Sequence, residues 1–491
     1  MDITLKELFD NLPCKAIAKE NTEITGISYN TKNIQPGDIF VCLKGAHVDG
    51  HNFIDEALRL KAKAIVVSHK KYLKKGVAGV VVEDTRKTLA EISAKFYGFP
   101  SRDLYLIGVT GTNGKTTTTT VIHDILSSSG IPSGLIGTMN WKVLDKTRKS
   151  VHTTPQAVEL QSMLREMVDC GADNAVMEVS SHALSLDRVV GCGYDIVAYT
   201  NLTQDHLDFH KNMDDYLQAK LSFFTDKTLH KNDAIAVINN DDPFAEDFLT
   251  SFSGKKYTYG IDGGDFRAQD IEMSAFGTSF ILKSPKGEQR IKLQLVGRFN
   301  VYNSLLAIAI CSLCGIELKK IAKELGKIAP VDGRFELVNG KNDKDKPSVI
   351  VDYAHTPDGL EKILETAYNI APDCVNLVFG CGGDRDRTKR PKMAQIAEKY
   401  TKNIIVTSDN PRSEDPASII DEICSGFSPD GLKKVSKVVD RKDAILKAIS
   451  KATKGDIVVL AGKGHEDYQI FANNTIHFDD REVAREALRD L

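Results

Sequence analysis

No stretch of the chain approaches the roughly eighteen consecutive apolar residues that a membrane-spanning helix needs. The opening MDITLKELFDNL has neither the basic start nor the apolar core of a secretory signal peptide, so a cytoplasmic protein is expected. A basic excess is missing as well. With 64 Lys and Arg against 67 Asp and Glu the net charge is −3, which argues against a nucleic-acid binder. Short repeats and low-complexity tracts are absent. The nine cysteines are odd in number and scattered, as expected of reduced thiols rather than a disulfide framework. Cys311 and Cys314 form a lone CxxC inside LLAIAICSLCGI. Without a second pair or nearby histidines, it reads as core packing rather than a zinc site. What is present is an ordinary globular composition, 42% hydrophobic and 27% charged, over 491 residues, too many for one core.

The order of the segments predicts an α/β protein of three domains. Residues 1–100 mix short apolar strands with turns, as in ITGISYN, GDIFVCLKG, AKAIVVS and AGVVVED, and reach a boundary in the breakers of GFPSRDLY. Residues 101–329 alternate strand-like runs ending in polar clusters with helical segments, the pattern of a mostly parallel sheet. A less regular section, residues 256–282, is expected to add antiparallel strands. Residues 330–491 hold four more strand–helix units, opened by SVIVDYAHTPD, VNLVFGCGGDRDR, NIIVTSDNPR and DIVVLAGKGHE. Ligands of open α/β sheets sit beyond the carboxyl ends of the strands, where these units place their arginines and glycines.

The strand-like LYLIGVT runs into GTNGKTT, residues 111–117, and a Thr-rich helical segment follows. Backbone N–H groups around Gly111, Thr112, Asn113 and Gly114 can wrap phosphate oxygens, because glycine allows the close approach. Lys115 would reach the β- and γ-phosphates, the Thr116 hydroxyl would ligate Mg²⁺, and the helix running on through Thr117 points its positive end at the same anion. The full phosphate-loop spacing has a glycine where this chain has Val109. A nucleotide triphosphate is expected here, though the loop alone does not say where its phosphate goes.

Other strand ends carry candidates. Glu178 in MEVSSHAL could hold Mg²⁺. His206 follows Asp205 in NLTQDHLDFH, but magnesium ordinarily prefers oxygen to imidazole. Lys220 in YLQAKLSFF reads locally as a helix-surface lysine. Asp352 and His355 could face a nucleotide. The cluster Arg385, Arg387, Lys389 and Arg390, with Asp409, Asn410 and Arg412, suits a zwitterion: guanidinium grips carboxylate and Asp accepts from ammonium. Surface ion pairs are the bland alternative, but the recurrence of such clusters at successive strand ends favours a site.

Taken together, GVTGTNGKTT, TTP at residues 153–155, MEVSSHAL, NLTQDHLDFH, GRFNVYN, VDYAHTPD, GGDRDR, DNPR and GKGHE, in this order over nearly the whole chain, resemble the Mur ligase family of peptidoglycan synthesis, in its MurE branch. The resemblance implies an N-terminal mixed α/β UDP-binding domain, a central phosphate-loop ATPase domain with a parallel sheet, and a Rossmann-like C-terminal amino-acid domain. It implies that ATP phosphorylates the D-glutamate carboxylate of UDP-MurNAc-L-Ala-D-Glu. The amine of meso-diaminopimelate then attacks the acyl phosphate, giving UDP-MurNAc-tripeptide, ADP and phosphate. By the same resemblance Lys115, Lys220 and His206 are catalytic, and Thr116, Glu178, His206 and a carbamylated Lys220 serve magnesium. Gly111 to Thr117, Asn300, Asn303, Arg334, Asp352 and His355 meet ATP. Ser28, Thr153, Thr154, Ser180 and Arg188 hold the nucleotide dipeptide, while Arg385, Asp409, Asn410, Arg412, Gly462 and Glu466 hold diaminopimelate. Arg412 in DNPR would pair with the distal carboxylate that lysine lacks. A monomer with small-molecule partners only is expected. The alternatives are a lysine-adding or folylpolyglutamate-type ligase, a motor-like phosphate-loop ATPase, and a catalytically silent binding protein.

Overall fold

Runs such as YLIGVT, NAVME and IVVLA are apolar on both faces, so they are stable only where helices cover a sheet from both sides. The computed structural model describes every residue except 1, 2, 46, 47, 151, 275, 276, 330, 341, 342 and 344, and these runs form the middles of its sheets. The N-terminal sheet has five strands in the order Ala16–Ala18, Ala78–Val81, Ala64–Val67, Asp38–Val41 and Gly26–Ser28, parallel except for the first.

The central sheet has eleven strands. Its parallel middle runs Ser133–Ile136, Asn174–Glu178, Tyr105–Thr110, Tyr194–Tyr199, His230–Asn239 and Lys255–Gly260. A hairpin of Asn140–Val143 and Lys146–Lys149 extends one edge. On the other edge Phe266–Ser274, Gly277–Ser284 and Gly287–Leu293 pair antiparallel, as expected. The KYTYG segment, expected among those antiparallel strands, instead pairs parallel with His230–Asn239. The C-terminal sheet orders Glu336–Leu337, Ser348–Asp352, Ile457–Ala461, Val375–Phe379, Asn403–Val406 and Val435–Lys437, parallel from the second strand onward.

Helix Arg298–Leu313 is apolar nearly all round, so it sits inside, packed against both the sheet and the neighbouring helix Lys115–Ser128. Cys311 is buried there and all nine cysteines are free, in line with the packing reading of the CxxC. Strand register sets up the site. Glu178 and Ala198 both pair with Val109, so three carboxyl ends finish at one level beside the phosphate loop.

Candidate active site

The phosphate loop is held from below by the next strand end. Thr112 N donates to Asn201 O at 2.8 Å, Asn113 N to Asn201 Oδ1 at 2.9 Å, and Thr200 Oγ1 to Asn113 O at 2.7 Å. Gly114 precedes helix Lys115–Ser128 with φ +87° and no side-chain cap, and its Cα faces Asn303 Oδ1 too closely for a Cβ. The first N–H groups of that helix therefore carry no side-chain partner from the cap position, an arrangement suited to an anion. Lys115 Nζ donates to the carbonyls of Gly111 and Thr112, both at 2.8 Å. Burial lowers its pKa, with the Glu178 charge working the other way.

Glu178 is 0% exposed. It accepts from Thr116 Oγ1 at 3.0 Å, Thr138 N at 2.7 Å and Thr138 Oγ1 at 3.0 Å. Among the described residues no lysine or arginine forms an ion pair with it. A buried carboxylate beside a hydroxyl, with no cation in direct contact among the described residues, offers hard oxygen donors, which suits Mg²⁺. No group of three or more His, Cys, Asp or Glu among the described residues could hold a metal alone. A magnesium ion here would therefore complete its shell with phosphate oxygens and water.

The structure overturns the helix-surface reading of Lys220. Its helix, Met213–Thr225, turns that side chain inward to 1% exposure, with Nζ donating to Gly111 O at 2.8 Å and standing 4.5 Å over the Tyr216 ring. Burial and then repulsion from Lys115 push its pKa well below the ordinary lysine value. His206 has a left-handed backbone, φ 55°, and lies 3.4 Å from Asp205 and edge-on to His182 at 4.8 Å. Burial takes its pKa down to about 3, so the ring is neutral and free to act as a ligand. His355 approaches Asp205 from the C-terminal domain, at 3.7 Å.

A cavity of about 470 Å³ opens between the central and C-terminal sheets, lined by Asn113, Gly114, Thr117, Asn303, Arg334, Asp352 and His355 from the sequence candidates. Gly111, Thr112, Lys115, Thr116 and Asn300 lie outside its lining. Asn300 stands behind, its Oδ1 accepting from Asn303 Nδ2 at 3.1 Å. Arg334 stacks 4.6 Å over Tyr353 and reaches Thr116 Oγ1 at 3.4 Å. Asp352, its pKa raised by burial, accepts from the N–H groups of Phe335 and Ala354, both at 2.6 Å, and so ties the interdomain linker down.

On the opposite side of Glu178, Thr154 Oγ1 donates to Glu178 O at 2.8 Å and accepts from Ser180 N at 3.1 Å. Thr153 Oγ1 meets Thr138 Oγ1 at 3.0 Å. Arg188 Nη1 donates to Thr154 O at 2.9 Å, while its Nε is buried without a partner. The N-terminal domain reaches this face through Tyr29, whose hydroxyl donates to Glu159 at 2.8 Å; beside it, the Ser28 hydroxyl donates to Asn30 O at 3.0 Å.

In the C-terminal domain the structure divides the basic cluster. Arg387 and Arg390 are committed to Glu414 and Glu422, Arg390 with no exposure at all, and Lys389 is buried. Arg385 reaches Asp208 of the central domain at 4.0 Å, and Arg412 has no ion-pair partner among the described residues. Arg412, with left-handed φ 52°, donates to Gly383 O at 2.8 Å, and burial followed by repulsion from Arg385 lowers its pKa. Asn410 Nδ2 donates to Glu466 at 2.8 Å, and buried Lys463 donates to Glu466 at 3.1 Å and to Asn410 Oδ1 at 3.3 Å. Asp409 faces Gly462. Arg385, Asp409 and Glu466 thus all lie within electrostatic reach of Arg412.

Sequence reasoning passed over Thr138, Asp358 and Lys463. Asp358 accepts from Asn113 Nδ2 at 2.8 Å across the domain boundary. Lys463 lies within the quoted GKGHE, where a lysine three before glutamate is a local signal; Thr138 and Asp358 carry none.

A glycine-rich strand-to-helix loop and a buried carboxylate beside an interdomain cavity, with an arginine and carboxylate cluster in the C-terminal domain, suit an ATP-dependent ligase of the amide-forming kind. The Mur ligase middle domain matches residues 109–311, the Mur ligase glutamate ligase domain residues 333–464, and the Mur ligase family catalytic domain residues 23–97. A UDP-N-acetylmuramoyl-L-alanyl-D-glutamate–2,6-diaminopimelate ligase of Bacillus cereus is 47% identical over 476 residues, covering 96% of this chain and 95% of that one. The enzyme of the same description from Halalkalibacterium halodurans is 43% identical over 491 residues, covering 99% of each. The chain belongs to the Mur ligase family. A solved structure of a UDP-N-acetylmuramoyl-L-alanyl-D-glutamate–2,6-diaminopimelate ligase superposes with a TM-score of 0.69 at 32% identity, over 100% of this chain and 99% of that one. MurF from Acinetobacter baumannii, at 19% identity and a TM-score of 0.68 over 100% of this chain and 99% of that one, shares the fold.

Proposed function

We propose that this protein joins meso-diaminopimelate to the D-glutamate of UDP-MurNAc-L-Ala-D-Glu, with conversion of ATP to ADP and phosphate. The observation that carries the reading is the composition of the C-terminal pocket. Among the described residues Arg385 and Arg412 make no ion pair with a carboxylate of their own domain, and Asp409 and Glu466 lie within electrostatic reach of Arg412. An acceptor with two amino-acid ends matches this set; lysine would leave a guanidinium desolvated and unpaired.

Lys115 and the N–H groups from Gly111 to Thr117 bind the ATP phosphates, with Asn300 and Asn303 behind the nucleotide and Arg334, Asp352 and His355 closing over it. Thr116, Glu178, His206 and Lys220 are the groups that would hold magnesium, which neutralises phosphate charge when bound. Lys220 fits that role as a carbamate: a neutral buried amine adds CO₂, loses a proton and becomes an anionic oxygen donor. Ser28, Thr153, Thr154, Ser180 and Arg188 position the nucleotide dipeptide. The γ-phosphoryl group passes to the D-glutamate carboxylate, which turns a poor leaving oxygen into a good one. The diaminopimelate amine then attacks the carbonyl carbon, and phosphate departs from the tetrahedral intermediate. Domain boundaries after residues 100 and 329 belong to the same reading, supported by where the three sheets begin and end. So do a monomeric, cytoplasmic protein and a site built from one chain.

Phosphate release with ATP, Mg²⁺ and UDP-MurNAc-L-Ala-D-Glu tests the reading, with meso-diaminopimelate or L-lysine added in parallel. Release is expected to require the nucleotide dipeptide and meso-diaminopimelate. Equal use of lysine would overturn the assigned acceptor, and release with neither substrate would overturn the ligase.

A further inference from the structure

Below the amino-acid pocket lies a buried ion pair that no step above uses. Arg441 and Asp480 begin the helices Arg441–Lys451 and Asp480–Asp490, and both side chains are 0% exposed. Arg441 Nε and Nη2 donate to the two carboxylate oxygens of Asp480 at 2.8 and 2.6 Å, a two-pronged grip. Two further bonds leave the pair: Nη2 donates to Ala461 O at 3.0 Å and Nη1 to Ser408 O at 3.5 Å.

These carbonyls have a common feature. Ala461 ends the strand Ile457–Ala461 and is followed by Gly462; Ser408 follows the strand Asn403–Val406 and is followed by Asp409. The strand Val375–Phe379 separates the two in the sheet. One guanidinium therefore spans the ends of non-adjacent strands just where each gives rise to a pocket loop. Spacing is tight at that level, since a Cβ on Gly462 would stand 2.6 Å from Asp409 Oδ2. Asp409 and Glu466 also lie within electrostatic reach of Arg441.

A buried ion pair is a poor source of stability, because desolvating both charges offsets their attraction and apolar replacements are often as stable. A planar guanidinium with fixed donors is, in contrast, well suited to fixing the distance between several acceptors, which a single ammonium cannot do. We propose that Arg441, held by Asp480, is a positioning residue that sets the spacing of the Asp409 and Gly462 loops and thereby the fit of the incoming amino acid. The proposal rests on the reading of those loops as the amino-acid pocket.

Two variants of the full chain test it, Arg441→Lys and the apolar double replacement R441M/D480L, each with its melting temperature and its steady-state constants. The expected result is a rise of tenfold or more in KM for the amino acid in both, with KM for ATP within about twofold of the wild type. The double variant is expected to melt within a few degrees of the wild type. An unchanged amino-acid KM in a folded variant, a parallel rise in both KM values, or loss of folding in both variants would overturn the proposal. Wild-type controls with meso-diaminopimelate and with lysine keep a wrong acceptor distinguishable: if lysine is the substrate, the same KM split is read with lysine.

Discussion

Lys220 is an amine held out of water, 2.8 Å from the Gly111 carbonyl, with Lys115 close enough to repel a charge. Burial and repulsion both favour the neutral form, and neutral amines react with CO₂. Lys220→Ala is expected to lower ligase turnover at least a hundredfold, with partial recovery on adding formate or acetate, whose carboxylate would stand in for a carbamate. Full activity without additive would remove the residue from the mechanism. A second residue-level expectation concerns acid. Burial, joined by repulsion from His210 for His182 and from Arg334 for His465, takes both rings down to about 4 from the ordinary 6.5. Between those values the unfolded chain binds protons that the folded chain refuses. Stability therefore falls as pH drops from about 6.5 to about 4, by at most about 1.4 kcal/mol per pH unit for each ring. Urea midpoints at pH 7 and pH 5 check this; equal midpoints would contradict it. The phosphate loop was legible because its chemistry is contiguous. Lys220 was not, because its burial comes from how a whole helix turns towards Gly111. Arg387 and Arg390 misled the sequence reading because their partners, Glu414 and Glu422, arrive from another segment.

Between elements, the C-terminal domain touches the phosphate loop at a few polar points. Asp358, in the first turn of helix Pro357–Ile370, accepts from Asn113 Nδ2 at 2.8 Å and from Lys362 Nζ at 2.9 Å. Gln204, beyond strand Tyr194–Tyr199, donates to Asp386 at 3.1 Å and Thr388 at 2.9 Å and accepts from Lys392. A hydrogen bond in such a place contributes about 0.5–1.5 kcal/mol. Asp358→Ala is accordingly expected to raise KM for ATP about three- to tenfold while shifting the melting temperature little. A large fall in melting temperature with unchanged KM would assign Asp358 to the fold instead of the cleft. These contacts had no signature in the sequence. Periodicity predicted the strands and helices well, yet it says nothing of which loops meet across a linker. The KYTYG strand shows the same limit, since parallel or antiparallel pairing depends on the connection and not on the strand.

At the scale of the molecule, three sheets carry three groups of candidate residues: Tyr29 in the N-terminal domain, the phosphate loop with Glu178 and Arg188 in the central one, and Arg412 with Glu466 in the C-terminal one. The order of the motifs made this division readable, but the distances that make it a site come from packing. In the proposed reaction phosphate leaves ATP by way of the substrate carboxylate rather than by way of water, and the fate of one oxygen decides it. UDP-MurNAc-L-Ala-D-Glu labelled with ¹⁸O in the D-glutamate carboxylates would be turned over with ATP, Mg²⁺ and meso-diaminopimelate, and the released phosphate analysed by mass. One ¹⁸O is expected in each phosphate formed, in step with the tripeptide product. Phosphate free of label, with its fourth oxygen drawn from water, would contradict it.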